Sequence, residues 1–449
     1  MQIHEFVDEG LGHASYLIDI GDADAALIDP PRFPIAHQAL ADRLGRRIAW
    51  TFDTHSHADY VTGSPALAAR LGATFVAPAA SHLETPHRPV VDGERVVLGD
   101  GLAMMALATP GHTPDHHAFV LQRNDSAAAL FSGGSLMVGS VGRTDLCGPE
   151  LAEPMARAMF RSLHDKLLVL ADDLPVYPTH GAGSFCSAPA GNARTTTIGR
   201  ERATDPLLSI PDEDEFVEQL LAGFGTFPTY FARLPEFNRR GPGRYDTLPD
   251  LALLDLAAFR KTMAADAVVI DARPIARFCA QHLPASLSNT LRPVFASWLG
   301  WLTDPRKALL FILDNGQDRA DLVRQCLDVG HENLGGELDG GIATWTAAGL
   351  PTGAVPLIAA TGFTTSIVDV RQANEYATGH VPTAINVELG AIAHTKFRDG
   401  PLTVMCGHGE RATTAASILA AAGHGDVAVF DGGPDTWSAE TGRELEVGS

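Results

Sequence analysis

The feature that most constrains the fold is an internal repeat in the C-terminal part of the chain. The segment AVVIDARPIARFCAQHLPASLSNT, which begins at Ala267, is echoed by TSIVDVRQANEYATGHVPTAINV, which begins at Thr365. Farther along, each copy has an apolar strand, a short loop and a helix, and each then has a similar run, GELDGGIATW or AVFDGG. The alternation of strands and helices predicts two homologous α/β domains with parallel sheets, at residues 248–355 and 356–449.

Residues 1–247 have a different pattern, in which short apolar strands lead into histidine-rich loops. HASYLIDI, DAALIDP and RRIAWTFDT have the pattern of strands, as do stretches around LAMMALATPGH and AAALFSGGSLMVG, and DEDEFVEQLLAGF has that of a helix. These elements predict an αββα layered domain. We place its end near residue 247, within the Gly/Pro-rich run NRRGPGRYDTLP.

Charge and composition exclude several classes of protein. Thirty-three basic residues against 54 acidic residues give a net charge of −21, which repels polyanions and argues against a nucleic-acid partner. No apolar run approaches the length of a membrane span, and we see no export signal. The five cysteines form no CxxC pair, which favours a reducing compartment and predicts a cytoplasmic protein. The oligomeric state stays open, a homo-oligomer included.

Cys406 has the position of a reactive nucleophile in the second copy. It lies between an apolar strand and a helix, in the loop CGHGER, and Arg411 of the same loop is the second predicted catalytic residue. A cysteine there faces backbone N–H groups and a helix N-terminus, which stabilise thiolate and persulfide anions. The alternative is a buried structural cysteine. The remaining residues of the predicted persulfide loop are Gly407, His408, Gly409 and Glu410.

The first copy has Asp314 where the second has Cys406. This position has no thiol in the first copy, so we expect that copy to be inactive, with a packing or docking role. Cys279 and Cys326 lie in helical patterns, and we expect both to be core residues.

Three histidine-bearing loops, THSHADY, TPGHTPDHH and YPTHGAGS, mark the N-terminal domain. Imidazoles on loops at strand ends can converge on one metal ion. Predicted ligands are His55, His57 and His112, with Asp59 and His180 as candidates for a second position. The alternative is a set of histidines that only hydrogen-bond one another. We expect the neighbouring His116 and His117 to be exposed loop residues.

The two C-terminal copies resemble the rhodanese family. The shared motifs are a D-x-R strand end, a His-x-Pro-x-Ala stretch, a Cys-x-x-G-x-R loop and a Gly-Gly-x-x-x-Trp close. The resemblance implies that Cys406 carries a persulfide. In the second copy the matching residues are Asp369, Arg371, His380, Pro382, Ala384, Cys406, Gly409, Arg411, Gly432, Gly433 and Trp437.

The N-terminal domain resembles the metallo-β-lactamase superfamily, in its glyoxalase II and persulfide dioxygenase branch, and the domain order resembles bacterial persulfide dioxygenase/rhodanese fusions. The resemblance implies Fe(II) or Zn(II), held by His55, His112 and an aspartate. Two departures leave that site incomplete or empty: Gly134 stands at the aspartate position and Tyr60 at a family histidine position.

Three hypotheses about function follow from these resemblances. In the first, the metal domain oxidises a low-molecular-weight thiol persulfide such as glutathione persulfide, and Cys406 exchanges sulfane sulfur with thiosulfate or sulfite. In the second, the metal domain is a non-catalytic scaffold for a sulfurtransferase, which Tyr60 and Gly134 favour. In the third, a zinc-bound hydroxide hydrolyses a thioester, as in glyoxalase II.

Overall fold

The computed structural model describes residues 1–21, 23–186, 193–363 and 366–448. The chain divides into two compact units, residues 1–248 with 327–330 and residues 249–326 with 331–449. The predicted fold class is confirmed, since an αββα domain is followed by two α/β domains with parallel sheets. The finer division at residues 247 and 355 stays a prediction.

Two six-stranded sheets form the centre of the first unit. The first sheet has the order β1-β2-β3-β4-β5-β6 and the second β12-β11-β10-β9-β8-β7. The strands of the first sheet are β1 (Gln2–Asp8), β2 (His13–Gly21), β3 (Asp24–Ile28), β4 (Arg47–Phe52), β5 (Thr74–Pro78) and β6 (Arg88–Val90). Those of the second are β7 (Arg95–Gly99), β8 (Leu102–Ala108), β9 (His117–Arg123), β10 (Ser126–Gly133), β11 (Pro175–Pro178) and β12 (Thr196–Thr197).

Side-chain alternation along the strands builds the four layers. Inward residues such as Tyr16, Phe52 and Phe119 pack between the two sheets, and successive residues point to opposite faces of a strand. The outer face of the first sheet is covered by α1 (Ile35–Arg43) and α2 (Ser64–Leu71), and that of the second by α3 (Pro149–Ser162) and α5 (Glu213–Ala222). The helix predicted from DEDEFVEQLLAGF is α5, and the Asp212 side chain accepts the Glu215 N–H at its N-terminus.

The second unit contains two five-stranded parallel sheets with the same strand order. The first runs β13-β17-β16-β14-β15 and the second β18-β22-β21-β19-β20, so the sequence repeat is a structural repeat. The first sheet comprises β13 (Leu253–Leu254), β14 (Val268–Asp271), β15 (Leu287–Ser288), β16 (Leu309–Ile312) and β17 (Leu334–Leu338). The second comprises β18 (Leu357–Ile358), β19 (Ser366–Asp369), β20 (Ile385–Asn386), β21 (Leu402–Met405) and β22 (Val427–Phe430).

The remaining helices connect these strands. They are α4 (Ile198–Thr204) and α6 (Leu234–Arg240) in the first unit, then α7 (Leu256–Ala264), α8 (Ile275–Ala280), α9 (Phe295–Leu302), α10 (Arg319–Asp328), α11 (Gly341–Ala347), α12 (Ala373–Thr378), α13 (Glu410–Ala421) and α14 (Pro434–Thr441). Within the described ranges, none of the helices has the length and apolar character needed to cross a bilayer.

Candidate active and metal sites

Cys406 lies directly after β21, where the chain turns into α13. Its side chain is buried, and its Sγ accepts the backbone N–H of Gly409 at 3.1 Å. Gly409 has φ +93°, a left-handed conformation that favours glycine, and it forms the N-cap of α13. The turn therefore aims a backbone N–H and a helix N-terminus at the sulfur, an arrangement that stabilises sulfur anions.

Arg411, predicted to act beside the cysteine, is held by a carboxylate. Its two terminal nitrogens lie 2.6 and 2.7 Å from the carboxylate oxygens of Glu375. Burial would raise the pKa of Glu375, but hydrogen bonds and the charge of Arg411 lower it. Arg411 thus stabilises the loop through an ion pair, and the Glu375 carboxylate compensates most of its positive charge. In the same loop, His408 is exposed and Glu410 is half-buried.

The corresponding loop of the first copy is built differently. Arg319 donates to the backbone carbonyls of Asp314 and Gln317 and pairs with Glu337. The Asp314 backbone N–H donates a hydrogen bond to the side-chain oxygen of Gln317. The loop therefore closes on itself through side chains and offers no thiol. Cys279 and Cys326 of this copy are buried, as expected of core residues.

In the first unit, three imidazoles converge from three loops. His55 follows β4, His112 follows β8 and His180 follows β11, and one ring nitrogen of each lies within 4.8 Å of the others. The ring centroids are 5.0 to 5.4 Å apart, and all three side chains are buried. The structure thus brings together two of the three predicted ligands, with His180 in the third position.

The hydrogen bonds around these rings leave their Nε2 lone pairs available. The Thr54 hydroxyl donates to Asp29 and must accept from Nδ1–H of His55, and Nδ1–H of His112 donates to the Arg143 carbonyl. Nε2 of His112 is buried without a hydrogen-bond partner among the described residues. Nε2 of His55 faces Nε2 of His180 at 3.5 Å. A bound cation satisfies facing lone pairs, so these residues fit a metal ion.

Burial also keeps two of the rings neutral. Loss of hydration and the neighbouring imidazoles lower the pKa of His112 to about 3 and that of His55 well below its usual range. Neutral imidazole is the form that binds metal.

His57, the other predicted ligand, is turned toward Asp29. Its Nε2 lies 3.1 Å from the Asp29 carboxylate and 3.0 Å from the Tyr60 hydroxyl. Burial alone would lower the pKa of His57, but the charge of Asp29 raises it to about 8. His57 thus pairs with a carboxylate, and one of its ring nitrogens also lies within 4.8 Å of ligand atoms of Asp59 and His180, the predicted second position.

Asp59 and Tyr60 lie on the far side of His180. The Asp59 carboxylate is 3.2 Å from Nδ1 of His180 and is buried. Burial would raise its pKa, but the charge of His180 lowers it. The Tyr60 ring is stacked between His13 and His57, and its hydroxyl donates to the Asp29 carbonyl. Tyr60 thus takes part in a packed hydrogen-bonded layer.

Gly134 lies against the face of the three-imidazole cluster. A Cβ added there would be 2.3 Å from Cδ2 and 2.7 Å from Nε2 of His112. The Gly134 N–H donates to Nε2 of His116 at 3.0 Å. The His112 ring therefore occupies the room that a side chain at position 134 would need.

The expectation that His116 and His117 are exposed is wrong, since both are buried. His116 is folded under the Gly133–Gly134 turn, with Nδ1 bonded to Thr109 and Nε2 to Gly134, so neither nitrogen is available for a metal.

The sequence alone did not identify two residues near the cluster, His13 and Asp29. His13 is buried against Tyr60, and Asp29 accepts from Thr54, His57 and Thr179. The signal for Asp29 was present, because an acid that directly follows an apolar strand such as β3 needs polar partners.

Comparisons with known proteins agree with this architecture. A rhodanese-like domain model matches residues 255–348 and 357–440. Human mitochondrial persulfide dioxygenase ETHE1 is 33% identical over 207 residues, which cover 45% of this chain and 74% of that protein. Hydroxyacylglutathione hydrolase from Brucella anthropi is 31% identical over 216 residues, covering 46% of this chain and 78% of that protein.

Among solved structures, a metallo-beta-lactamase from Staphylococcus aureus subsp. aureus COL is similar, with a TM-score of 0.66 and 25% sequence identity. The match covers 75% of this chain and 98% of that one.

The packing around Gly134 yields a prediction. Sequence alone suggests that Gly134→Asp would restore a carboxylate ligand, but the new side chain must displace His112. We expect the variant to lose metal and to lower the free energy of unfolding by about 1 to 3 kcal/mol, as overpacking does. Elemental analysis and chemical denaturation measure both.

The matched control for Gly134→Asp is Gly225→Asp, because a Cβ at Gly225 meets no atom within 4 Å. Higher iron content in Gly134→Asp than in wild type would contradict the packing argument.

Proposed function

Since the chain belongs to the metallo-β-lactamase family that includes persulfide dioxygenase ETHE1 and hydroxyacylglutathione hydrolase, with rhodanese-like domains fused to it, we propose that it transfers sulfane sulfur through a persulfide on Cys406. The observation that carries the proposal is the turn after β21, where a buried cysteine accepts the Gly409 N–H at the N-terminus of α13. The rhodanese-like domains and the similarity to a persulfide dioxygenase support a role in sulfur metabolism.

In the proposed reaction the Cys406 thiolate attacks the outer sulfur of a donor. A bond forms between Sγ and that sulfur, the donor's own bond to it breaks, and the electron pair leaves with the remainder of the donor. With thiosulfate the leaving group is sulfite. The Gly409 N–H and the N-terminus of α13 stabilise the negative charge on sulfur, and a second nucleophile then removes the sulfur and restores the thiolate.

We further propose that His55, His112 and His180 hold a divalent metal, Fe(II) or Zn(II). The support is the orphaned Nε2 of His112 and the facing nitrogens of His55 and His180. A metal bound there supplies Lewis acidity. Around it, the Arg143 carbonyl and Thr54 orient two of the rings, and the ring of His116 packs against those of His55 and His112.

This donor set lacks the carboxylate typical of non-haem iron oxygenases, which combine two histidines with one carboxylate. We therefore propose that persulfide oxidation is slow or absent and that the domain is a non-catalytic module that binds a persulfide, such as that of glutathione, in a chain that also carries the sulfurtransferase. A thioester hydrolase is the weaker candidate, because its metal-activated water also relies on a carboxylate-containing site in this branch.

The first prediction concerns the nucleophile. Cys406→Ser should reduce sulfur transfer from thiosulfate to cyanide to background, because a hydroxyl cannot form the persulfide. Intact-protein mass spectrometry should show one added sulfur atom in wild type after incubation with thiosulfate, and none in the variant.

Asp314→Ala is the control at the equivalent position of the first copy, and it should keep the wild-type rate. Retained transfer in Cys406→Ser would place the nucleophile elsewhere.

The second prediction concerns the metal. His112→Ala and His180→Ala should each remove most of the metal that copurifies with wild type, because each removes one of three neutral ligands. His57→Gln should keep it, since His57 pairs with Asp29. Elemental analysis of the purified proteins decides the matter. Metal loss in His57→Gln together with full occupancy in His180→Ala would favour the set His55, His57 and His112.

A further inference from the structure

The second unit contains a cation that faces the Cys406 loop from the other repeat. Arg292 lies between β15 and α9 of the first copy, and its Nε is 4.0 Å from a carboxylate oxygen of Glu410, at the start of α13. The two copies meet closely at this loop, since a Cβ added at Gly409 would be 2.8 Å from Cδ1 of Ile275. The copy without a cysteine therefore forms one wall of the cysteine's surroundings.

The guanidinium of Arg292 is partly buried but is not hydrogen-bonded to a protein acceptor among the described residues. Its side chain is 32% exposed, and its N–H groups make no hydrogen bond to any described residue. The 4.0 Å separation from Glu410 exceeds hydrogen-bond distance. Burial lowers the pKa of Arg292, while the charges of Glu410 and Cys406 raise it. A guanidinium has five donors in a planar fork, and a fork that no carboxylate occupies can bind an oxyanion through two of them.

The other arginine at the loop is already paired with a carboxylate. The two terminal nitrogens of Arg411 donate hydrogen bonds to the two carboxylate oxygens of Glu375. Arg292, in contrast, is close enough to Cys406 to sense its charge and makes no hydrogen bond within the described ranges.

We propose that Arg292, supplied by the inactive copy, binds the oxyanion group of an anionic sulfur donor, so that the site prefers thiosulfate, in which the outer sulfur is bonded to an SO3 group, over uncharged or remote-charge persulfides. This inference rests on the proposed role of Cys406. The Cys406 thiolate bonds to the outer sulfur, the bond from that sulfur to the sulfonate sulfur breaks, and sulfite leaves with the electron pair. Arg292 binds the sulfonate oxygens before the step and the sulfite dianion after it.

The test compares two donors in the full-length protein. Arg292→Gln should lower kcat/KM for thiosulfate about tenfold or more, the effect of losing a charge-assisted hydrogen bond. It should leave kcat/KM for glutathione persulfide nearly unchanged, because no oxyanion adjoins the sulfur that is transferred. A general disturbance of the fold would slow both donors alike.

Two further variants test whether the effect on thiosulfate depends on Arg292: one should raise kcat/KM and the other should leave it unchanged. Glu410→Gln should raise kcat/KM for thiosulfate, because it removes the carboxylate that competes for Arg292. Arg306→Gln removes an equal charge from the same copy, at the end of the sheet opposite the Cys406 loop, where its side chain is 88% exposed; it should change neither donor.

Binding provides a measurement that does not need turnover. Calorimetry should detect thiosulfate binding to Cys406→Ser and a loss of about tenfold or more in affinity when Arg292→Gln is added. Equal affinity in the two proteins, or no binding to Cys406→Ser, overturns the Arg292 proposal even if Cys406 transfers sulfur. Conversely, donor-independent inactivity of wild type together with Arg292-dependent binding would overturn the sulfurtransferase proposal and keep the oxyanion site.

Discussion

The buried carboxylate of Asp29 organises the whole histidine-bearing edge of the first unit. It follows β3 and accepts hydrogen bonds from Thr54 after β4 and from Thr179 after β11, which belong to the two different sheets. It also pairs with His57. Because a buried charge is tolerated only when its hydrogen bonds are complete, the loops that carry His55 and His180 are fixed relative to each other before any metal arrives.

The sequence predicted the architecture well because the signals are periodic and repeated. The internal repeat predicted two α/β domains, and both sheets have the same strand order. Histidine-rich loops at strand ends indicated where chemistry would lie. Ring orientation could not be predicted in this way: His55 and His57 are two residues apart, yet one faces the cluster and the other faces Asp29. That difference depends on hydrogen bonds to Thr54, Tyr60 and Asp29, which only the folded chain brings together.

The same limit applies to the second site. Position and loop composition identified Cys406 and Arg411 as candidates, but they could not show that Arg411 is paired with Glu375. Arg292 lies more than 100 residues before the cysteine and belongs to no repeated motif, so no spacing rule connects the two. The loss of the cysteine from the first copy thus did not leave that copy without a task, because its loops complete the surroundings of the other.

Burial of Cys406, whose side chain is 1% exposed, has a consequence for the survival of the sulfur. Oxidation of a thiolate by peroxide proceeds through sulfenic to irreversible sulfinic and sulfonic acids, and it follows exposure. A sulfur enclosed by the turn from Cys406 to Glu410 is reached less readily by oxidants in solution than an exposed thiolate is. Burial thus slows the encounter of Cys406 with sulfur donors, and it also slows irreversible oxidation of the thiolate.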